Sequence, residues 1–293
     1  DSLVYYYRSL KVATTGDTSF APDKKKIRRW RKKLCNGGWS RFLLERVLNG
    51  KERRYVREEA ADILGRMGDR SIVPELIKAL QSQKTDYYAA IALQGLPDPG
   101  AFEYLIRLIK PNRSNLVRIQ AALALGSLKD ERALDSLVDM LADPDEIVNH
   151  YASLAIGKIG GEKALNMILE IMSGSRPGNI VYAISALEGI ADKRSVPALI
   201  EALFSRKDEV REAAARALQF VPDERAFQPL TFLLKDPNSR VRILAAYSLA
   251  HIGGDNVQKL LRELMKDDVY LVRQHAGRLV KWLEKGVTPA KCV

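Results

Sequence analysis

From residue 56 onward, apolar and polar positions recur along the chain with a period close to 31. The segments VREEAADILGRMGD at Val56, VRIQAALALGSLKD at Val117, VREAAARALQFVPD at Val210, VRILAAYSLAHIGG at Val241 and VRQHAGRLVKWLEK at Val272 share one pattern. Weaker copies begin at Thr85, Val148 and Asn179. The fifth position of every copy is alanine: Ala60, Ala89, Ala121, Ala152, Ala183, Ala214, Ala245 and Ala276. The ninth is aliphatic, from Leu64 to Val280, and the twelfth is apolar, from Met67 to Leu283. At about 100° per residue, positions 1, 5, 9 and 12 share one helical face. A small residue at the fifth lets two helices approach closely. Between the copies run second amphipathic segments such as SIVPELIKAL, RALDSLVDML, SVPALIEALF and AFQPLTFLLK. An Asp or Gly is read as closing the first helix. Pro74 and Pro197 fall early in the second, where a missing N–H costs little. No strand alternation appears. The pattern predicts an all-α fold, an α-solenoid superhelix of about eight helix pairs, each burying its apolar face against its neighbours. The expected divisions are an extended arm over 1–22, basic cap helices over 23–50, the solenoid over 51–286 and a tail over 287–293.

The form D-P-x-x-x-V-R-x-x-A-x-x-A-L-G-x-I-G-D, carried best by DPNSRVRILAAYSLAHIGG from Asp236, resembles the HEAT-like repeat of the phycobilisome-lyase type. The resemblance covers roughly residues 51–285. It implies helix pairs stacked into a superhelix whose first helices line the concave side. For function it implies bilin lyases, scaffolds or accessory repeats of enzymes, and fold alone does not choose among them.

Charge changes the picture at one end only. The formal net charge is +11. Residues 1–55 hold 15 Lys/Arg against 5 Asp/Glu, and residues 56–293 hold 32 against 31. A nearly neutral body therefore follows a strongly basic N-terminal module, and the charge is no nucleic-acid signature of the whole chain. Within that module, KKKIRRWRKKL at 24–34 carries Lys24, Lys25, Lys26, Arg28, Arg29, Arg31, Lys32 and Lys33. Ile27, Trp30 and Leu34 form one apolar stripe, with Asp23 placed to cap and Gly37-Gly38 to end a helix. One reading is a cap helix alone. A second is a cap that also docks an acidic protein partner. A third is a nucleic-acid or anionic-membrane contact. Capping needs only the stripe, so eight cations favour the acidic partner.

Cys35 and Cys292 make no metal spacing and no disulfide framework. That suits a reducing compartment, the cytoplasm or the plastid stroma. No apolar run approaches the roughly 20 residues of a membrane span. The sequence opens at Asp1 rather than Met, as a trimmed or processed chain would, and a removed targeting peptide is compatible with it.

Arginine recurs at the second position as Arg57, Arg118, Arg211, Arg242 and Arg273, and Asp86, Asn149 and Ile180 interrupt it. The row is either an anion-binding surface or an Asp–Arg ladder between repeats. The ladder is favoured, since Asp236 and Asp267 precede Arg242 and Arg273 by six residues and the family resemblance implies such ladders. His150, His251 and His275 are not followed by Glu, so the His-Glu pairs of the HEAT-like iron hydroxylases are absent and no metal site is expected. No phosphate-binding loop, nucleophile elbow or Cys-His pattern appears. No catalytic residue is assigned.

Positions 3, 4, 7 and 11 of each first helix point away from the expected core. In the first copy they are Glu58, Glu59, Asp62 and Arg66, a solvated face. Later copies place Tyr87, Tyr88, Ile119, Leu123, His150, Tyr151, Leu154, Tyr182, Phe220, Tyr247 and His251 there instead. An exposed apolar strip of this kind marks a binding groove. The alternative is tight curvature, with these residues packing on one another across repeats. The expected function is a non-catalytic scaffold that holds a protein partner in this groove and docks an acidic surface through residues 24–33. The alternative is a bilin lyase, isomerase or chromophore carrier acting on a phycobiliprotein subunit. A linear tetrapyrrole is flat and apolar with two propionates, and Tyr, His and Arg side chains suit it. Nucleic-acid binding ranks third.

Overall fold

The computed structural model describes residues 38–254 and 256–286. The basic stretch 24–34, the arm and the tail lie outside the described residues. Among those described there are sixteen α-helices and no strand. In order they are α1 (Gly38–Leu48), α2 (Arg54–Met67), α3 (Val73–Ala79), α4 (Asp86–Gly95), α5 (Phe102–Leu108), α6 (Asn115–Leu128), α7 (Leu134–Asp139) and α8 (Glu146–Ile159). Then come α9 (Gly161–Met172), α10 (Ile180–Ile190), α11 (Val196–Ala202), α12 (Asp208–Ala217), α13 (Phe227–Leu233), α14 (Ser239–Ile252), α15 (Val257–Leu264) and α16 (Tyr270–Glu284). The even-numbered helices carry the eight copies of the repeat.

The described residues form two compact units that divide after residue 137, inside α7. In the first, α2, α4 and α6 pack side by side, and α1, α3 and α5 pack on α2, α4 and α6. In the second, α8, α10, α12, α14 and α16 pack side by side, and α9, α11, α13 and α15 pack on α10, α12, α14 and α16. Each odd helix except α7 thus pairs with the repeat helix that follows it.

The alanine register explains the packing. Ala60, Ala89 and Ala121 in the first unit, and Ala152, Ala183, Ala214, Ala245 and Ala276 in the second, are fully buried. Leu64, Leu93, Leu125, Ile156, Leu187, Leu218, Leu249 and Val280 at the ninth position are buried as well. At the twelfth position Leu96 and Val221 are buried, and Met67, Leu128, Ile159, Ile190, Ile252 and Leu283 are half-buried. Glycine allows still closer contact. A Cβ on Gly65 of α2 would fall 2.8 Å from the Ala92 carbonyl oxygen of α4, and one on Gly95 would collide with the Gly65 backbone.

The recurring aspartates do not close the repeat helices. Asp69, Asp98, Asp130, Asp192 and Asp223 instead cap the turn that opens the following odd helix, their carboxylates accepting the N–H two residues on at 2.8–3.0 Å. A short acidic side chain at that place satisfies a donor the turn leaves unpaired. Hydrogen bonds from the Arg225 side chain and N–H hold Asp223 down at about 2. Pro74 and Pro197 lie in the first turn of α3 and α11, as expected.

Candidate partner-binding site

In the first unit, the repeat-2 tyrosines are tied into the fold. Arg57 of α2 is buried, its Nε donating to the Val47 carbonyl at 2.9 Å and its guanidinium to the Lys84 carbonyl at 2.7 Å. Its guanidinium carbon lies 3.8 Å from the centre of the Tyr88 ring, a cation–π contact that covers that ring. Tyr88 is therefore buried rather than open. Tyr87 is half-buried and donates to Glu58 at 3.0 Å, with burial raising its hydroxyl pKa. Ile119 of α6 is buried and Leu123 half-buried. In repeat 2 the rung polarity is reversed: Asp86, buried at the second position, accepts from Arg113 of the segment before α6.

In the second unit, the arginine row is structural, and its rungs have one plan. Arg211 donates to the Ser205 carbonyl six residues back and, in bidentate fashion, to Asp236 at 2.8 and 3.0 Å. Arg242 donates to the Asp236 carbonyl six residues back and to Asp267 at 2.8 Å. Arg273 donates to the Asp267 carbonyl, again six back. Arg211 and Arg242 thus each join their own helix entry to the next one, and Arg273 holds its own entry alone. Burial pushes the Asp267 carboxyl up, but hydrogen bonds from Arg242 and the Val269 N–H outweigh it and hold the group below its usual range.

The face opposite the core divides along the second unit. On α14, Ile243, Leu244 and Tyr247 are buried, against the expectation of an open strip. The Tyr247 hydroxyl meets His275 Nδ1 at 3.0 Å, and its ring contacts those of His275 and Trp282 at 5.7 and 6.3 Å. The late helix α16 covers that face. His251 is half-buried and donates from Nδ1 to the Tyr247 carbonyl at 2.8 Å. Phe220 is half-buried just beyond α12.

On α8 the face is open. His150 is exposed, Tyr151 is half-buried with its ring edge-on to His150 at 5.3 Å, and Leu154 is 46% exposed. Ile147, 60% exposed, joins them one turn earlier. Ile147, His150, Tyr151 and Leu154 stand at i, i+3, i+4 and i+7, one stripe of the helix. Ile147 was not among the expected residues. It precedes the repeat register by one position, and the stripe spacing read backward from Leu154 finds it. Tyr182 of α10 is half-buried, and burial, with Glu146 nearby, raises its hydroxyl pKa. Phe204 and Phe232, 58% and 70% exposed with ring centres 6.3 Å apart, form a second apolar spot on the odd-helix side that the repeat pattern did not single out.

No group of three or more His, Cys, Asp or Glu side chains able to hold a metal occurs among the described residues, and no described helix is long and apolar enough to cross a membrane. The cations Lys24, Lys25, Lys26, Arg28, Arg29, Arg31, Lys32 and Lys33 lie outside the described residues.

The sequence matches the family model for HEAT repeats over 81–156, 116–181, 167–235 and 225–281, and that for the PBS lyase HEAT-like repeat over 56–82. Among solved structures it is similar to Kap121p, with a TM-score of 0.54 and 14% identity, over 82% of this chain and 33% of that one. It is also similar to the complex of CpcE and CpcF of phycocyanin lyase from Nostoc sp. PCC7120, with a TM-score of 0.46 and 25% identity, over 51% of this chain and 99% of that one. Human deoxyhypusine hydroxylase in complex with glycerol aligns with a TM-score of 0.36 and 19% identity, over 84% and 96% of the two chains. No curated protein sequence matches the chain.

Proposed function

The chain belongs to the HEAT-repeat family, and from that premise we propose that it is a scaffold whose second unit seats a protein partner on the open face of α8. The observation that carries this reading is the stripe Ile147, His150, Tyr151 and Leu154. It presents two exposed aliphatic side chains and two aromatic rings at helical spacing, with no described residue covering Ile147 or Leu154. Isolated exposed apolar residues are ordinary, whereas a contiguous stripe marks a contact surface. No catalytic group is part of it. The basic residues 24–33 supply the second element, an acidic-partner docking segment that steers association. The test is capture of a partner from native extract by the full chain and by Leu154→Asp, with circular dichroism as the folding control. The scaffold reading expects a protein that the parent retains and the variant loses. Equal capture by both would remove α8 from the site.

A second reading is favoured by the match of residues 56–82 to the PBS lyase HEAT-like repeat. In it the protein holds a linear tetrapyrrole for delivery to a phycobiliprotein subunit, with His150, Tyr151 and Tyr182 as the accessible contacts. Holding and orienting such a chromophore would itself promote its attachment. A shifted visible absorption band on mixing with a bilin supports this reading, and an unchanged bilin spectrum removes it.

A further inference from the structure

Repeats 4 and 5 are consecutive copies without a cation at the second position, which holds Asn149 and Ile180. Elsewhere in the second unit that position is Arg211, Arg242 or Arg273, and each guanidinium donates to the carbonyl six residues back. Asn149 keeps that bond. Its Nδ2 donates to the Asp143 carbonyl, also six residues back, at 3.1 Å. But asparagine is shorter than arginine and stops there. Beside it lies a cleft of about 870 Å³ whose lining includes Asp143, Glu146, Asn149, Tyr182, Lys207 and Glu209. Three carboxylates line it against one ammonium. Asn149 lines this cleft and is 3% exposed, and its buried Oδ1 has no hydrogen-bond partner. A buried amide oxygen left unpaired costs stability, and a donor brought to it removes that cost.

We propose that this cleft takes the guanidinium of an arginine side chain from a protein partner, which completes the rung that Asn149 leaves short. That the donor is a protein rests on the scaffold reading above, whereas the guanidinium chemistry rests on the cleft alone. The planar guanidinium presents five donors in a fork and suits a site with an amide oxygen and more than one carboxylate. Glu146 of α8 and Glu209 of α12 are the carboxylates assigned to it, since the Asp143 carboxylate already accepts the Asp145 N–H at 3.0 Å. A lysine ammonium is a compact point charge on a flexible stem and matches this spread of acceptors less well. The internal rungs show the same chemistry satisfied from within the chain.

The experiment titrates the full chain with acetyl-Gly-Arg-Gly-amide and with its lysine and citrulline counterparts, read by calorimetry. The arginine peptide is expected to bind about tenfold more tightly than the lysine peptide, and the citrulline peptide not to bind. Asn149→Arg supplies the missing side chain from within, so it should raise the melting temperature and weaken the arginine peptide about tenfold or more. Glu209→Gln leaves the rungs intact and should weaken it about fivefold. If Asn149→Arg does not fold, Glu209→Gln decides. Equal affinity for the arginine and lysine peptides, no binding of the arginine peptide, or binding unchanged by both variants overturns the proposal. None of these variants alters Ile147 or Leu154, so failure here leaves the α8 surface standing, and failure of Leu154→Asp to lose a partner leaves the cleft standing.

Discussion

A Cβ placed on Gly189 would fall 2.7 Å from the Cα of Gly157. The two glycines mark the closest approach of α10 to α8, and Gly65 and Gly95 mark the equivalent approach of α4 to α2. Alanine is the better helix former by about 1 kcal/mol, so propensity alone favours Gly189→Ala. The clash is with backbone, which no rotamer relieves. Gly189→Ala is therefore expected to lower stability by about 1–3 kcal/mol, measured as a shift in urea midpoint at unchanged slope. A gain in stability would mean that the two helices separate freely at this point.

The rungs lead to a different test. Arg211 and Asp236 are 12% and 4% exposed at their side chains, and Asp236 Oδ1 also accepts the Asn238 N–H at 2.8 Å. Asp236→Ala leaves a nearly buried guanidinium uncompensated and should cost about 3–5 kcal/mol. The double change Arg211→Met with Asp236→Leu should return part of that loss, because an apolar pair has no charge to desolvate. Chemical denaturation of the three proteins compares them. A single variant as stable as the parent would show that the rung is ornamental.

Two tyrosines from matching positions should behave oppositely. Tyr88 lies under Arg57, so Tyr88→Ala removes buried ring area and a cation–π contact and should cost about 3 kcal/mol in stability. Tyr151 stands on the open α8 stripe. Tyr151→Ala should leave the melting temperature nearly unchanged and weaken partner binding by about 2 kcal/mol. Melting curves of both variants, and partner binding of the second, check the contrast.

His275 makes stability depend on pH. Burial, and then the nearby Arg278 cation, lower its pKa below the ordinary 6.5. The unfolded chain then takes up a proton at a pH where the folded chain does not. The contribution is fully present above 6.5 and is lost as pH falls from there through the folded value. His275→Gln should flatten the fall in melting temperature between about pH 7 and pH 5. A parent whose stability rises on acidification through that window would contradict the assignment.

For the basic segment, replacing Lys24, Lys25, Arg28 and Arg29 by Gln should slow partner association and flatten its salt dependence, with little change in stability. Stopped-flow association at two salt concentrations measures this. Unchanged rates at low salt would leave the segment without a docking role.

Much of this fold is written along the chain. Alanine at the fifth position of every repeat and an aliphatic residue at the ninth specify which helical face is buried, because a helix repeats its directions every 3.6 residues whatever surrounds it. The same spacing placed Pro74 and Pro197 in first turns and singled out the arginines of the rungs. What lies over a face is a different matter. Tyr88, Ile119 and Tyr247 occupy positions like those of Tyr151 and Leu154, yet they are buried and Leu154 is exposed. For Tyr88 and Tyr247 the cover comes from Arg57, His275 and Trp282, about a repeat away, which periodicity within one helix does not encode. The division of the chain at residue 137, the glycine contacts and the cleft beside Asn149 belong to the same class. The sequence by itself determined the helices, their buried faces and the repeat order, since these follow from local spacing. The tertiary structure alone decided which outward residues stay open, because that depends on the length and direction of side chains arriving from other helices.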